Sequence, residues 1–136
     1  TALSVRNQVG TGANQLIAGF VISGNLAKKM ILRGVGPGLL LSSPELAGLE
    51  LANPTLQLNK YTPAGTTTWT VVGTNDDWGG TAELTTAMKA AGMGDLAAGS
   101  KDAVLLLELS PGVYTAQVSG VGDTTGIGLV EIYEAP

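Results

Sequence analysis

The chain has 136 residues, with seven Lys and Arg against eleven Asp and Glu, and neither His nor Cys. A net charge of -4 and an isoelectric point near 4.5 leave no basic stripe for a phosphate backbone, so nucleic acid is not an expected partner. The missing residue types exclude disulfides, thiolate and imidazole metal sites, and every nucleophilic or acid-base constellation that uses His or Cys.

The length suits a single domain, 1–136, large enough to bury roughly two-thirds of its unfolded surface. Charged residues make up 13%, about half the usual share, and the mean hydropathy is +0.27. Either Thr, Ser and Gly cover the outside or neighbouring subunits do. Apolar runs such as Leu16 to Ile22 fall far short of the ~20 residues of a membrane helix, and no membrane insertion is expected. A start at Thr1-Ala2-Leu3 reads as a mature form after removal of a secretion signal, although an engineered start would look the same.

Leu3, Val5 and Val9 alternate with Ser4, Arg6 and Gln8, which predicts a first strand over 1–9 that ends at Gly10-Thr11-Gly12. Gln15 to Ser23 is apolar on both faces and reads as a buried strand, with Gly19 marking a bulge or a close backbone approach. Lys28 to Arg33 is a third strand, leading into the broken segment Gly34-Val35-Gly36-Pro37-Gly38. Ser43-Pro44-Glu45 has the residues to start a short helical turn that Gly48 stops. Pro54 to Tyr61 alternates with Leu56 and Leu58 inward and Gln57 and Asn59 outward; Pro63-Ala64-Gly65 turns the chain into a strand over Thr66 to Val72.

The one helix expected spans 81–91, where Leu84, Ala87, Met88 and Ala91 form a narrow apolar stripe. Thr81 caps it, Glu83 and Lys89 suit its dipole, and Gly92 follows it. A lone short helix of this kind is expected to cover an open end of a sandwich. From Asp102 to Glu134 three more strands follow. Ala103, Leu105, Leu107 and Leu109 share a face, Val104 and Leu106 make the opposite face apolar as in a central strand, and only Glu108 interrupts it. Ser110-Pro111-Gly112-Val113 fits a type II turn; Tyr114, Ala116 and Val118 then alternate with Thr115, Gln117 and Ser119. The last strand puts Ile127, Leu129, Glu131 and Tyr133 on one face and Val130 and Ile132 on the other. The pattern predicts an all-β, jelly-roll-like β-sandwich of about eight strands with one short accessory helix.

The order of NPTLQLN, NDDW, DAVLLLEL, SPG, VYTAQVSG and GIGLVEIY resembles the bacterial pre-peptidase C-terminal type of β-sandwich domain. LIAGFVI, LRGVGP, GSKDAVLLLEL and PGVYTAQVSGVG, spread over nearly the whole chain, extend the resemblance to modules of secreted and surface proteins of environmental bacteria. It implies a jelly-roll-like sandwich exported from the cell and without an activity of its own.

Asn75, Asp76 and Asp77, followed by Gly79-Gly80, place three oxygen-bearing side chains in one turn, a set that Ca²⁺ accepts. The same residues serve equally to bond their own backbone ahead of a helix, and the spaced acidic pattern of a helix-loop-helix calcium site is missing. Pro37 and the lack of a following Lys-Ser/Thr disfavour a phosphate cradle at the glycine-rich segment. No pair of the eleven carboxylates stands out for glycosidase chemistry, and Trp69 and Trp78 either pack or stack on a sugar.

The leading expectation is a non-enzymatic exported structural protein, a subunit that polymerises with copies of itself at the cell surface. In its sharpest form Leu3, Val5 and Val9 enter a neighbouring sandwich by strand exchange, with Gly10 and Gly12 as the hinge; pairing within the chain demands the same alternation. The alternative is an adhesion or carbohydrate-binding module, calcium-stabilised or not, with a glycan as partner.

Overall fold

The computed structural model describes residues 2–62 and 68–136. Eight strands are seen: β1 (Ala2–Val9), β2 (Leu16–Ile22), β3 (Lys28–Val35), β4 (Pro54–Thr62), β5 (Thr68–Asn75), β6 (Ala103–Leu109), β7 (Gly112–Gly120) and β8 (Gly126–Glu134), with one α-helix, α1 (Ala82–Ala90). They form two sheets of order β1-β8-β3-β6 and β2-β7-β4-β5, antiparallel throughout. Apart from β4 and β5, consecutive strands alternate between the sheets, which is the winding of a jelly roll and bears out the expected architecture. The expected turn Pro63-Ala64-Gly65, the first two residues of the strand Thr66 to Val72, and Thr1 lie outside the described residues. Among the described residues no helix is long and apolar enough to cross a membrane.

The core between the sheets follows from the period-2 patterns. Met30 and Leu32 from β3 and Val130 and Ile132 from β8 meet Leu56 and Leu58 from β4 and Tyr114, Ala116 and Val118 from β7, all buried. Each large aliphatic side chain removed from water there contributes about 1.5–3 kcal/mol. Tyr114 reconciles its ring with this interior by donating its hydroxyl to the Ser110 carbonyl at 2.6 Å and by stacking on Phe20.

Four expectations change. First, β6 is an edge strand of its sheet, not a central one. On its second apolar face Val104 is buried and Leu106 half-buried, because α1 and the segment after it lie on the outside of that sheet. Ile31, Trp78, Met88, Met93 and Val104 form a second buried cluster there, flanked by Leu84, Ala87 and Ala91. Second, and for the same reason, α1 covers a sheet face and not an open end. The helix itself is as expected: the Thr81 hydroxyl accepts the Leu84 N–H at 3.3 Å, and Gly92 takes φ 78° beyond its end.

Third, β2 is buried on one face only. It is the edge of the second sheet, whose outer surface nothing covers among the described residues, so Ile17 and Val21 are exposed. Its pairing with β7 runs through Gly19 without a bulge; the irregularity in this sheet lies instead between Leu58 and Asn59, where β4 meets β5. Fourth, Gly112 has φ 159°, nearly extended, so the Ser110 to Val113 turn is not type II. A Cβ there would meet the flexible end of the Lys60 side chain at 2.9 Å, a contact that side chain can relieve by moving.

The segment between β3 and β4 forms short 3-10 turns at Pro37–Leu41 and Pro44–Leu46, the second without a side-chain bond from Ser43. Leu51 within it is fully buried against the core.

Candidate functional site: the uncovered face of the second sheet

One sheet has its outer face capped by α1; the other presents its outer face to solvent. Strand register sets what lies on that face. Ile17 of β2 is opposite Gln117 of β7, which is opposite Gln57 of β4, which is opposite Thr74 of β5. The next row reads Gly19, Thr115, Asn59, Val71. At the end of β5, Trp69 stands opposite Tyr61 with ring centroids 5.3 Å apart in an edge-to-face contact.

These side chains enclose a shallow cleft of about 460 Å³ between Ile17 at one side and Trp69 and Val71 at the other. Its floor is a row of amides: Gln57 Nε2 donates to Asn59 Oδ1 at 3.0 Å and to Gln117 Oε1 at 3.5 Å. Asn59 is 5% exposed and Trp69 47% exposed, so the floor is fixed and the aromatic wall is open. The outward alternation of Gln57 and Asn59 and of Thr115 and Gln117 was legible in the sequence. Their convergence with Trp69 depends on the strand order, which no local pattern carries.

The strand-exchange residues all point inward from β1, with Leu3 opposite Ile132, Val5 opposite Val130 and Val9 opposite Gly126. Only Val9 is fully buried; Val5 is half-buried and Leu3 is 36% exposed at the mouth of a cavity of about 130 Å³ that opens between β1 and β2. Within one chain β1 pairs with β8 over all eight residues. Gly10 and Gly12 belong to a compact connection: the Gly10 N–H donates to the Asn14 carbonyl at 2.8 Å, and Gly12, at φ 58°, opens a 3-10 turn.

In the turn at Asn75, Asp76 and Asp77 the Asn75 amide is committed to backbone groups. Asn75 Oδ1 accepts the Val104 N–H at 3.0 Å and its Nδ2 donates to the Asp77 carbonyl, while Asp76 and Asp77 are exposed. Among the described residues no three acidic side chains cluster as a metal-ligand set. Trp78 is buried and donates its indole N–H toward the Ala97 carbonyl and the Ser100 hydroxyl, which leaves Trp69 as the tryptophan facing solvent.

In the glycine-rich segment, the N–H groups of Gly36 and Gly38 point at the fully buried Asp102, whose Oδ1 accepts both, at 2.8 and 3.1 Å. Its Oδ2 accepts the Ser100 hydroxyl at 2.7 Å. The loop therefore cradles the chain's own carboxylate. A second buried carboxylate, Glu131, is taken up by Arg33 across the strand pair, with Nε donating at 2.8 Å and Nη2 reaching the same oxygen. Arg33 Nη1 is held by the Gly94 carbonyl and the Met88 sulfur.

No protein-family model matches the chain, and no curated protein matches it. Its fold does have solved counterparts. The pre-peptidase C-terminal domain of a collagenase from Bacillus anthracis superposes with a TM-score of 0.53 at 9% identity, covering 96% of this chain and 87% of that one. The Yersinia pseudotuberculosis-derived mitogen superposes with a TM-score of 0.50 at 8% identity, over 98% and 85%. The chain is thus a jelly-roll β-sandwich resembling the pre-peptidase C-terminal type. At these identities the likeness is one of fold.

Proposed function

We propose that this chain is a non-enzymatic, exported structural module that joins to copies of itself on the side of the sandwich where β1 and β2 form the two sheet edges, with β1 as the strand that passes to the neighbour. The observation that carries the self-association part of this reading is the character of β2. An edge strand offers a row of backbone donors and acceptors to any incoming strand, and proteins blunt such edges with charges, proline or bulges. β2, sequence LIAGFVI, has none of these and keeps regular register with β7 over seven residues. Beside it, the inward residues Leu3 and Val5 of β1 are left partly exposed.

β1 is the element suited to move. A short segment links it to β2, and it buries little beyond Val9. Exchange between copies remakes the same β1–β8 pairing, so beyond the entropy of bringing two chains together it costs the unwinding of the short 3-10 connection, a few hydrogen bonds at about 1 kcal/mol each. The absence of His and Cys and the mutual engagement of Arg33 and Glu131 support a role without catalysis.

The test is light scattering and electron microscopy of the full chain beside a version lacking residues 1–10. The full chain should form oligomers or filaments as concentration rises, and the shortened chain should not. Val5→Asp should weaken joining without removing the strand's hydrogen bonds. A full chain that stays monomeric at high concentration defeats the self-association reading; a shortened chain that still assembles normally defeats strand exchange.

A further inference from the structure

We propose that the cleft on the uncovered face of the second sheet binds a neutral oligosaccharide, with Trp69 as the stacking surface and the Gln57, Asn59 and Gln117 amides as the hydroxyl-reading floor. This inference does not rest on self-association, because the cleft lies on a sheet face and not on the β1 edge.

Three observations converge. The first is the hydrogen-bonding inventory of the floor. Gln57 spends its amide nitrogen on Asn59 and Gln117, which leaves Asn59 Nδ2, Gln117 Nε2 and Gln57 Oε1 without a hydrogen-bond partner among the described residues. None of these atoms is sealed from solvent, although Asn59 itself is 95% buried. A largely buried amide that lines an open cleft with its nitrogen unpaired is a donor held ready, since buried polar groups are normally paired. Donors and an acceptor side by side match vicinal hydroxyls, each of which can both give and accept a proton.

The second observation is charge. Among the described residues no Asp, Glu, Lys or Arg lines the cleft, in a chain where charged side chains are available elsewhere. A phosphate, a uronic acid or a basic peptide would find no counter-ion there. The third is the aromatic wall. Trp69 is the tryptophan that stays open to solvent, and the edge-to-face contact with Tyr61 fixes its tilt. An aromatic plane beside amides is what a pyranose requires: its C–H face is apolar and its rim is polar. A second copy of the chain is a poorer occupant, because packing a protein face here would bury the unpaired amides against apolar surface at a cost.

The experiment is a titration of the full chain with cellohexaose, maltohexaose and laminarihexaose, and with oligogalacturonate as the anionic control, followed by NMR of side-chain N–H signals. At least one neutral hexaose should bind saturably and shift the Trp69 indole and the Gln57, Asn59 and Gln117 amides, leaving the Trp78 indole in place. Trp69→Ala should weaken that binding about tenfold or more. Trp69→Phe, which keeps a ring, should weaken it less, and Gln117→Ala should weaken it with the thermal unfolding curve unchanged. The proposal is overturned if no neutral probe binds up to about 10 mM, if binding survives both Trp69→Ala and Gln117→Ala, or if oligogalacturonate binds better. It is equally overturned if the same signals move with protein concentration in the absence of sugar, which would mark the face as a contact between copies.

Discussion

At the scale of single residues the fold leans on two carboxylates that the sequence showed only as letters. Asp102 is fully buried and holds the N–H groups of Gly36 and Gly38 and the Ser100 hydroxyl. Asp102→Ala leaves the buried Gly36 N–H and the partly buried Gly38 N–H and Ser100 hydroxyl without their acceptor and should cost about 3 kcal/mol or more, whereas Asp102→Asn, which keeps an acceptor oxygen, should cost less. Urea unfolding of the two variants decides it; equal losses would mean that the carboxylate does not organise the loop. Glu131 and Arg33 form the other buried pair. Glu131→Ala strands the guanidinium and should cost about 3–5 kcal/mol, while replacing both residues with apolar ones of similar volume should cost far less. A double-mutant cycle that finds simple additivity would show that the two groups are not coupled. The same scale explains Gly36, where a Cβ would come within 1.9 Å of the Leu51 carbonyl oxygen, so that the glycine is fixed by close approach and not by turn geometry.

At the scale of elements, what the sequence made legible was what is decided locally. The helix over 81–91 was readable because its stripe, its Thr81 cap and its closing Gly92 all lie within a dozen residues, and the structure places α1 within one residue of those bounds. Strand alternation was readable for the same reason, and Tyr114, Ala116 and Val118 are buried as their spacing demands. What could not be read was which strand neighbours which. Val104 and Leu106 look like the second face of a central strand, yet β6 is an edge; only the long return from β5 through α1 brings a cover to its outside. The candidate cleft was illegible on the same ground, since Gln117, Gln57 and Trp69 meet only because β7, β4 and β5 are adjacent. The cover itself is testable. Met88 is the buried residue of α1 and also touches the Arg33 guanidinium. Met88→Ala should cost about 2–5 kcal/mol and shift the emission of Trp78, which shares its cluster. An unchanged melting curve with unchanged emission would show that the helix rests on the sheet without being held by it.

At the scale of the whole molecule the question is how a chain with so little charge stays dispersed, or what it joins. Among the apolar side chains left in water, Leu3 and Val21 flank the opening between β1 and β2, and Leu26 stands in the turn that follows β2, where it is 76% exposed. If β1 passes to a neighbour, the connection Gly10 to Gln15 must bridge the two domains, and the bridge is short. Where the neighbours also meet along the β1 and β2 edges up to the far end from that bridge, Val21 and Leu26 come out of water. Burying two such side chains is worth about 3 kcal/mol or more, so Val21→Lys with Leu26→Lys should weaken self-association about a hundredfold. Both positions face solvent in the single chain, so its thermal stability should move little. Analytical ultracentrifugation of this double variant separates the contributions. Association that weakens with it and vanishes on removal of residues 1–10 places the joint on the β1/β2 side with the strand as its core. Association that ignores the two lysines but still needs residues 1–10 leaves the strand as the whole of the joint. Association indifferent to both changes moves the joint to another face and removes the significance of the unguarded β2 edge.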